Sequence, residues 1–118
     1  MKLKTYIFIT IILTLLCFSY SNEICLKLNN VTIADLNNIP INVPIEDLPD
    51  KFKCYCRCLL KDILDENGKM DVELALNSYP VAYVEKVKTC KKRYDHMESE
   101  SCNYAAFAFS CLHFEQIT

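Results

Sequence analysis

Cys54-Tyr55-Cys56-Arg57-Cys58-Leu59-Leu60 is the stretch on which the fold turns. Its outer cysteines stand four residues apart, about one helical turn, so on a helix they share a side. Pro49-Asp50 opens that helix, and the apolar spacing carries it to about Leu64, where Asp65-Glu66-Asn67-Gly68 turns the chain. At about 100° per residue, Phe52, Cys56, Leu59, Leu60 and Ile63 gather on one face. Cys54 and Cys58 lie on the other side among Lys51, Arg57, Lys61 and Asp62. Such a helix is predicted to be tied from behind and to present an apolar front.

Working outward, the body of the chain places Cys25, Cys54, Cys58, Cys90, Cys102 and Cys111 with gaps of 28, 3, 31, 11 and 8 residues. The short gaps are helical spacings, unlike the scattered cysteines of loop-rich miniproteins. Six cysteines admit fifteen pairings. Cys54 cannot reach Cys58, because Cβ atoms one turn apart are about 5–6 Å from each other and a disulfide needs about 3.8 Å. Cys102 and Cys111 are excluded likewise, being about 13.5 Å apart on one helix and on opposite sides of it. The remaining pairings stay open on spacing alone.

The chain of 118 residues opens with Lys2 and Lys4, an apolar run over Tyr6 to Phe18, and small residues at Ser19 and Ser21. This reads as an export signal cleaved after Ser21, and the run falls short of the roughly 20 residues that span a bilayer. Cleavage leaves Asn22 to Thr118, a single domain of 97 residues. Without Lys2 and Lys4, 11 basic residues face 15 acids, a net charge of −4. That balance lacks the basic footprint of a nucleic-acid binder and disfavours anionic membranes, so neither nucleic acid nor stable membrane insertion is expected. In an oxidising compartment an even set of cysteines becomes disulfides, and in a domain this small such cross-links are useful.

Elsewhere the periodicity is helical and strand signals are weak. Thr32 caps a short helix at Ile33, and Pro40, Pro44 and Pro49 interrupt the chain after it. Asp71 caps a helix in which Val72, Ala75, Leu76 and Tyr79 align, and Pro80 separates it from the next. There Tyr83, Val84, Val87, Cys90 and Tyr94 form one stripe, with Glu85, Lys86 and Lys88 away from it. The last helix, about Ser99 to Phe114, carries Tyr104, Ala105, Ala106, Phe107, Ala108, Phe109 and Leu112 and leaves no polar face, as a centrally packed helix would. The run Lys86, Lys88, Lys91, Lys92 and Arg93 reads as a solvated face and a partner for the helix dipole.

The cysteine spacing, the Cys54–Leu60 segment, the Asn67-Gly68-Lys69-Met70-Asp71 turn and the stretch from Cys102 to Cys111 together resemble the insect pheromone and general odorant-binding proteins, over the whole mature chain. The resemblance implies an all-α fold of about six short helices around an apolar pocket. It implies three interlocked disulfides, pairing Cys25 with Cys58, Cys54 with Cys102 and Cys90 with Cys111. It further implies a secreted carrier of small apolar molecules, without cofactor, acting as a monomer or weak homodimer with a chemosensory receptor as a further partner. The ligand-contacting set implied is Phe52, Cys56, Leu59, Leu60, Ile63, Leu76, Tyr79, Tyr83, Val87, Tyr104, Phe107 and Phe114. Two departures stand out: the gap between Cys58 and Cys90 is short for the family, and the seven residues after Cys111 are too few for an added C-terminal helix.

Cys56 is the seventh cysteine of the mature chain. It points away from Cys54 and Cys58, which argues for a small core or pocket-wall hydrophobe rather than a metal ligand; a bridge to a second chain is the alternative. His96 and His113, the only histidines, form no catalytic constellation, and as side chains able to titrate between pH 5 and 8 they are the candidates for any pH response. The helical, disulfide-rich phospholipases place His-Asp beside a glycine-rich calcium loop. This chain has Asp95-His96 and a single glycine. The chain is not expected to be an enzyme. Phe52, Tyr55, Tyr79, Tyr83, Tyr104, Phe107 and Phe114 either fill a core or line a pocket, in which a tyrosine offers an apolar ring with one polar handle. A saposin-like lipid module is the alternative class, but its cysteines come in close pairs, unlike Cys25. A carrier reused in non-olfactory secretions is the other.

Overall fold

The structure, a computed structural model, describes residues 20–40 and 42–114. The expected export signal therefore lies outside the described residues apart from 20 and 21, as do residues 115–118 of the short tail. Six α-helices are seen among the described residues: α1 (Tyr20–Leu28), α2 (Ile33–Asn37), α3 (Asp50–Leu59), α4 (Val72–Ser78), α5 (Val81–Tyr94) and α6 (Asn103–Phe114). Tight 3₁₀ turns at Ile45–Asp47 and Lys61–Ile63 flank α3. Among the described residues the only extended pairing is an isolated bridge between Leu64 and Met70.

The local chemistry sets most of these boundaries. Thr32 and Asp35 form a reciprocal capping box at the start of α2. Asp71 accepts the backbone amides of Glu73 and Leu74 at the start of α4, and Pro49 and Pro80 sit at the N-caps of α3 and α5. α3 stops at Leu59, earlier than the sequence suggests. The Leu60 amide is shared between the carbonyls of Cys56 and Arg57, and the carbonyl of Ile63 goes to Asp71 N at 2.7 Å instead of continuing a helix. The chain turns through Gly68, whose φ of +81° belongs to the left-handed region and whose missing Cβ would stand 3.2 Å from the carbonyl of Ser99. A glycine is required at that one place.

α6 also starts later than expected, at Asn103 rather than Ser99, because the preceding residues grip the 65–71 turn. Ser99 Oγ donates to the carbonyl of Asn67, and Lys69 Nζ donates to the carbonyls of Asp95 and Met97. From α6, Tyr104 completes this clamp: its hydroxyl accepts from Met70 N at 3.0 Å and donates to Asp95 Oδ1 at 2.6 Å, and Asp95 pairs with Lys91.

Disulfides join Cys25 to Cys58, Cys54 to Cys102 and Cys90 to Cys111, so α1 and the entry to α6 are tied to the back of α3, and α5 to α6. The front of α3 supplies Phe52, Tyr55 and Cys56 to the core, where α5 contributes Val84, Val87 and Cys90. α6 is central: it packs along both α3 and α5, and Tyr104, Ala105, Ala106, Ala108, Phe109 and Leu112 are all buried on it.

Tyr104→Phe strips a partner from a buried amide and a hydrogen bond from a carboxylate. It should destabilise the domain by about 2–3 kcal/mol in urea unfolding. An unchanged midpoint would mean that the clamp contributes nothing.

Candidate functional site

The interior begins with the front of α3. Phe52 and Cys56 are buried there, Leu60 and Ile63 follow through the turn, and Leu59 is half-buried. α5 faces them with fully buried Val87 and half-buried Tyr83, and α6 brings Tyr104 and half-buried Phe107. Leu76 and Tyr79 do not join this group. They are 55% and 38% exposed, because the contacts of the seven-residue α4 with α5 and the 61–63 turn cover Ala75 and leave its neighbour open. The stripe expected along α4 thus points only partly inward. The side chain of Phe114 lies outside the described residues.

Tyr104 sits among the core residues, but its hydroxyl is committed to Met70 and Asp95. Burial, and then its hydrogen bond to Asp95, raises the phenol above the ordinary tyrosine range. Cys56 is a free thiol with no exposed surface, and burial pushes it up to about 12, so it stays protonated and unreactive in the folded chain.

Beside the core runs a string of rings. Tyr79 stacks on Tyr83 with centroids 4.6 Å apart, Tyr83 reaches His113 at 6.3 Å, and His113 lies 4.4 Å from Phe109. Burial, reinforced by Lys86, pushes His113 down to about 4. The expectation that His113 titrates between pH 5 and 8 is corrected: packed between aromatic rings it is neutral throughout that range. Burial also raises the phenols of Tyr83 and, less, Tyr79.

Two of the openings lined by described residues bear on the site. One, of about 300 Å³, lies between α2, the 39–49 segment and α3, with Ile39, Val43, Leu48 and Phe52 on its apolar side. At its rim Lys51 pairs with Asp35 at 3.3 Å. The other, of about 480 Å³, is a shallow, more polar groove where Arg57, Lys61, Asp65 and Glu66 flank the Cys54–Cys102 bridge. Of the expected set, Phe52 stands at the first of these openings.

Residues 18–115 match the PBP/GOBP family, the pheromone and general odorant-binding proteins. The match covers most of the chain, and the chain belongs to that family. No curated protein and no solved structure matches it. Members of the family are secreted carriers of small hydrophobic ligands, not enzymes. Among the described residues no helix is long and apolar enough to cross a membrane.

Tyr55 and His113 fall outside the expected ligand set. Tyr55 lies about 60° from Phe52 around α3, close enough for the same face had the arc been drawn wider. His113 stands out in the sequence only as a titratable side chain, and nothing local marks its contact with Tyr83.

His113 gives a pH signature with a definite sign. Its folded pKa of about 4 lies below the ordinary 6.5, so the unfolded chain takes up the proton first as pH falls. The stability that depends on a neutral His113 is therefore complete above pH 6.5 and is lost on descent toward 4. His113→Gln should remove on the order of 2–3 kcal/mol of the acid-induced loss between pH 7 and 4, read from urea midpoints. Parallel pH profiles for the two proteins would contradict the assignment.

Proposed function

We propose that the chain is exported by a signal over residues 1–21, and that residues 22–118 carry small, sparingly soluble molecules such as odorants or pheromones through an extracellular fluid. The observation that carries this reading is the family membership over residues 18–115. The inward apolar front of α3 and the facing stripe of α5 support it, because an aliphatic ligand is held chiefly by burial of its own surface. Phe52, Cys56, Leu60, Ile63 and Val87 form the apolar wall of the site, and Tyr83 and Phe107 its aromatic side. Delivery to a chemosensory receptor follows from the same reading.

The chain contains no tryptophan, so binding is followed with an extrinsic apolar fluorophore and its displacement. Saturable displacement by medium-length alcohols, esters or aldehydes is expected with dissociation constants in the micromolar range, about −8 kcal/mol. Absence of saturable displacement across alcohols, esters, aldehydes and fatty acids would overturn the proposal.

A further inference from the structure

Tyr55 is fully buried on α3, and its hydroxyl has no hydrogen-bond partner among the described residues. That is unusual for a phenol, since a buried Tyr O–H usually finds an acceptor and leaving the bond unmade is costly. Tyr104, equally buried, shows the ordinary outcome with two partners. Among the described residues two other buried polar atoms lack partners, Asn103 Oδ1 and Ser110 Oγ, both on α6. A serine within a helix can rotate its hydroxyl onto the carbonyl four residues earlier, and an amide near a helix start has backbone donors at hand. A phenol hydroxyl extends far beyond its own backbone and has no such local refuge.

The surroundings say what is missing. Tyr55 belongs to the apolar core together with Phe52 and Cys56, and Phe52, one turn earlier on the same helix, lines the 300 Å³ cleft. An aliphatic chain entering past Phe52 therefore comes within one helical turn of Tyr55. Burial keeps the phenol in its neutral, proton-donating form. The nearby cations are engaged elsewhere: Lys51 pairs with Asp35, and Lys53 Nζ donates to the carbonyl of Glu46 at 2.8 Å. A carboxylate brought here would lose its hydration without gaining a cation, whereas a neutral oxygen needs only the one donor.

We propose that the Tyr55 hydroxyl is the donor that selects the cargo, so the preferred ligand is an aliphatic molecule carrying one neutral acceptor oxygen, a ketone, aldehyde or ester. The proposal rests on the carrier reading and sharpens it. The hydroxyl makes no hydrogen bond to the described residues, and the oxygen of a bound ligand would complete it.

The test uses methyl nonyl ketone and dodecane, which have equal numbers of heavy atoms, on the wild-type chain and Tyr55→Phe. Tyr55→Phe should fold with a melting temperature no lower than wild type, since no bond is lost. The ketone should bind it about tenfold more weakly, and dodecane should bind both proteins within about twofold. Independently of the variant, the infrared carbonyl stretch of the ketone bound to wild type should lie below its position in hexane. Equal effects on ketone and alkane, or a carbonyl stretch unshifted from hexane, would overturn the role of Tyr55 and leave the carrier reading standing. Failure of both ligands to bind wild type would overturn the two together.

Discussion

Two covalent bonds at the back of one helix govern the rest of this molecule. Cys54 and Cys58 stand one turn apart on α3 and reach in different directions, to Cys102 at the entry of α6 and to Cys25 on α1. With the third bridge, the closed loops overlap along the chain, spanning 33, 48 and 21 residues. In the chain-entropy description each removes about 3–4 kcal/mol of freedom from the unfolded state. A domain of this size buries a smaller share of its surface than a large one, so cross-links add usefully to what packing supplies. Because the cross-links bear on the outer side of α3, its inner side need not be filled solely to hold the fold, and that freedom is what a carrier requires.

The polar interior divides along the same lines. Around the single glycine, Lys69, Asp95, Tyr104 and the carbonyl of Met97 form a closed clamp of mutual hydrogen bonds that joins the 65–71 turn to α6. On the front of α3 the opposite holds: Tyr55 has a hydroxyl without an acceptor beside a protonated thiol. One tyrosine fastens the fold, and the other is the one proposed to meet its acceptor on a ligand. That contrast separates scaffold from site more sharply than apolar burial, which is similar for both.

Much of this was legible in the sequence. The spacing of Cys54 and Cys58, the caps at Thr32 and Asp71 and the α5 stripe depend only on a residue's position around its own helix, and the structure agrees with all of them. The resemblance carried by the cysteine pattern supplied the pairing that spacing left open. What could not be read depends on neighbours remote in sequence. Leu76 is exposed because of how little α4 packs against, and Tyr104 serves the clamp because Met70, 34 residues earlier, lies opposite it. His113 is neutral because Tyr83 and Phe109 enclose it, and the late start of α6 follows from the hold of Ser99 on Asn67. Periodicity tells which way a side chain points and not what it meets.

The claim at the centre of this account is that ligand occupies the apolar front of α3, inside the cross-linked shell. Photo-cross-linking with an aliphatic ketone bearing a diazirine, followed by peptide mapping, locates the bound chain directly. The account predicts saturable labelling of the peptide containing Phe52, Tyr55 and Cys56, suppressed by excess methyl nonyl ketone. Labelling confined to the polar groove around Arg57, Lys61 and Glu66, or labelling that excess ketone does not suppress, would contradict it.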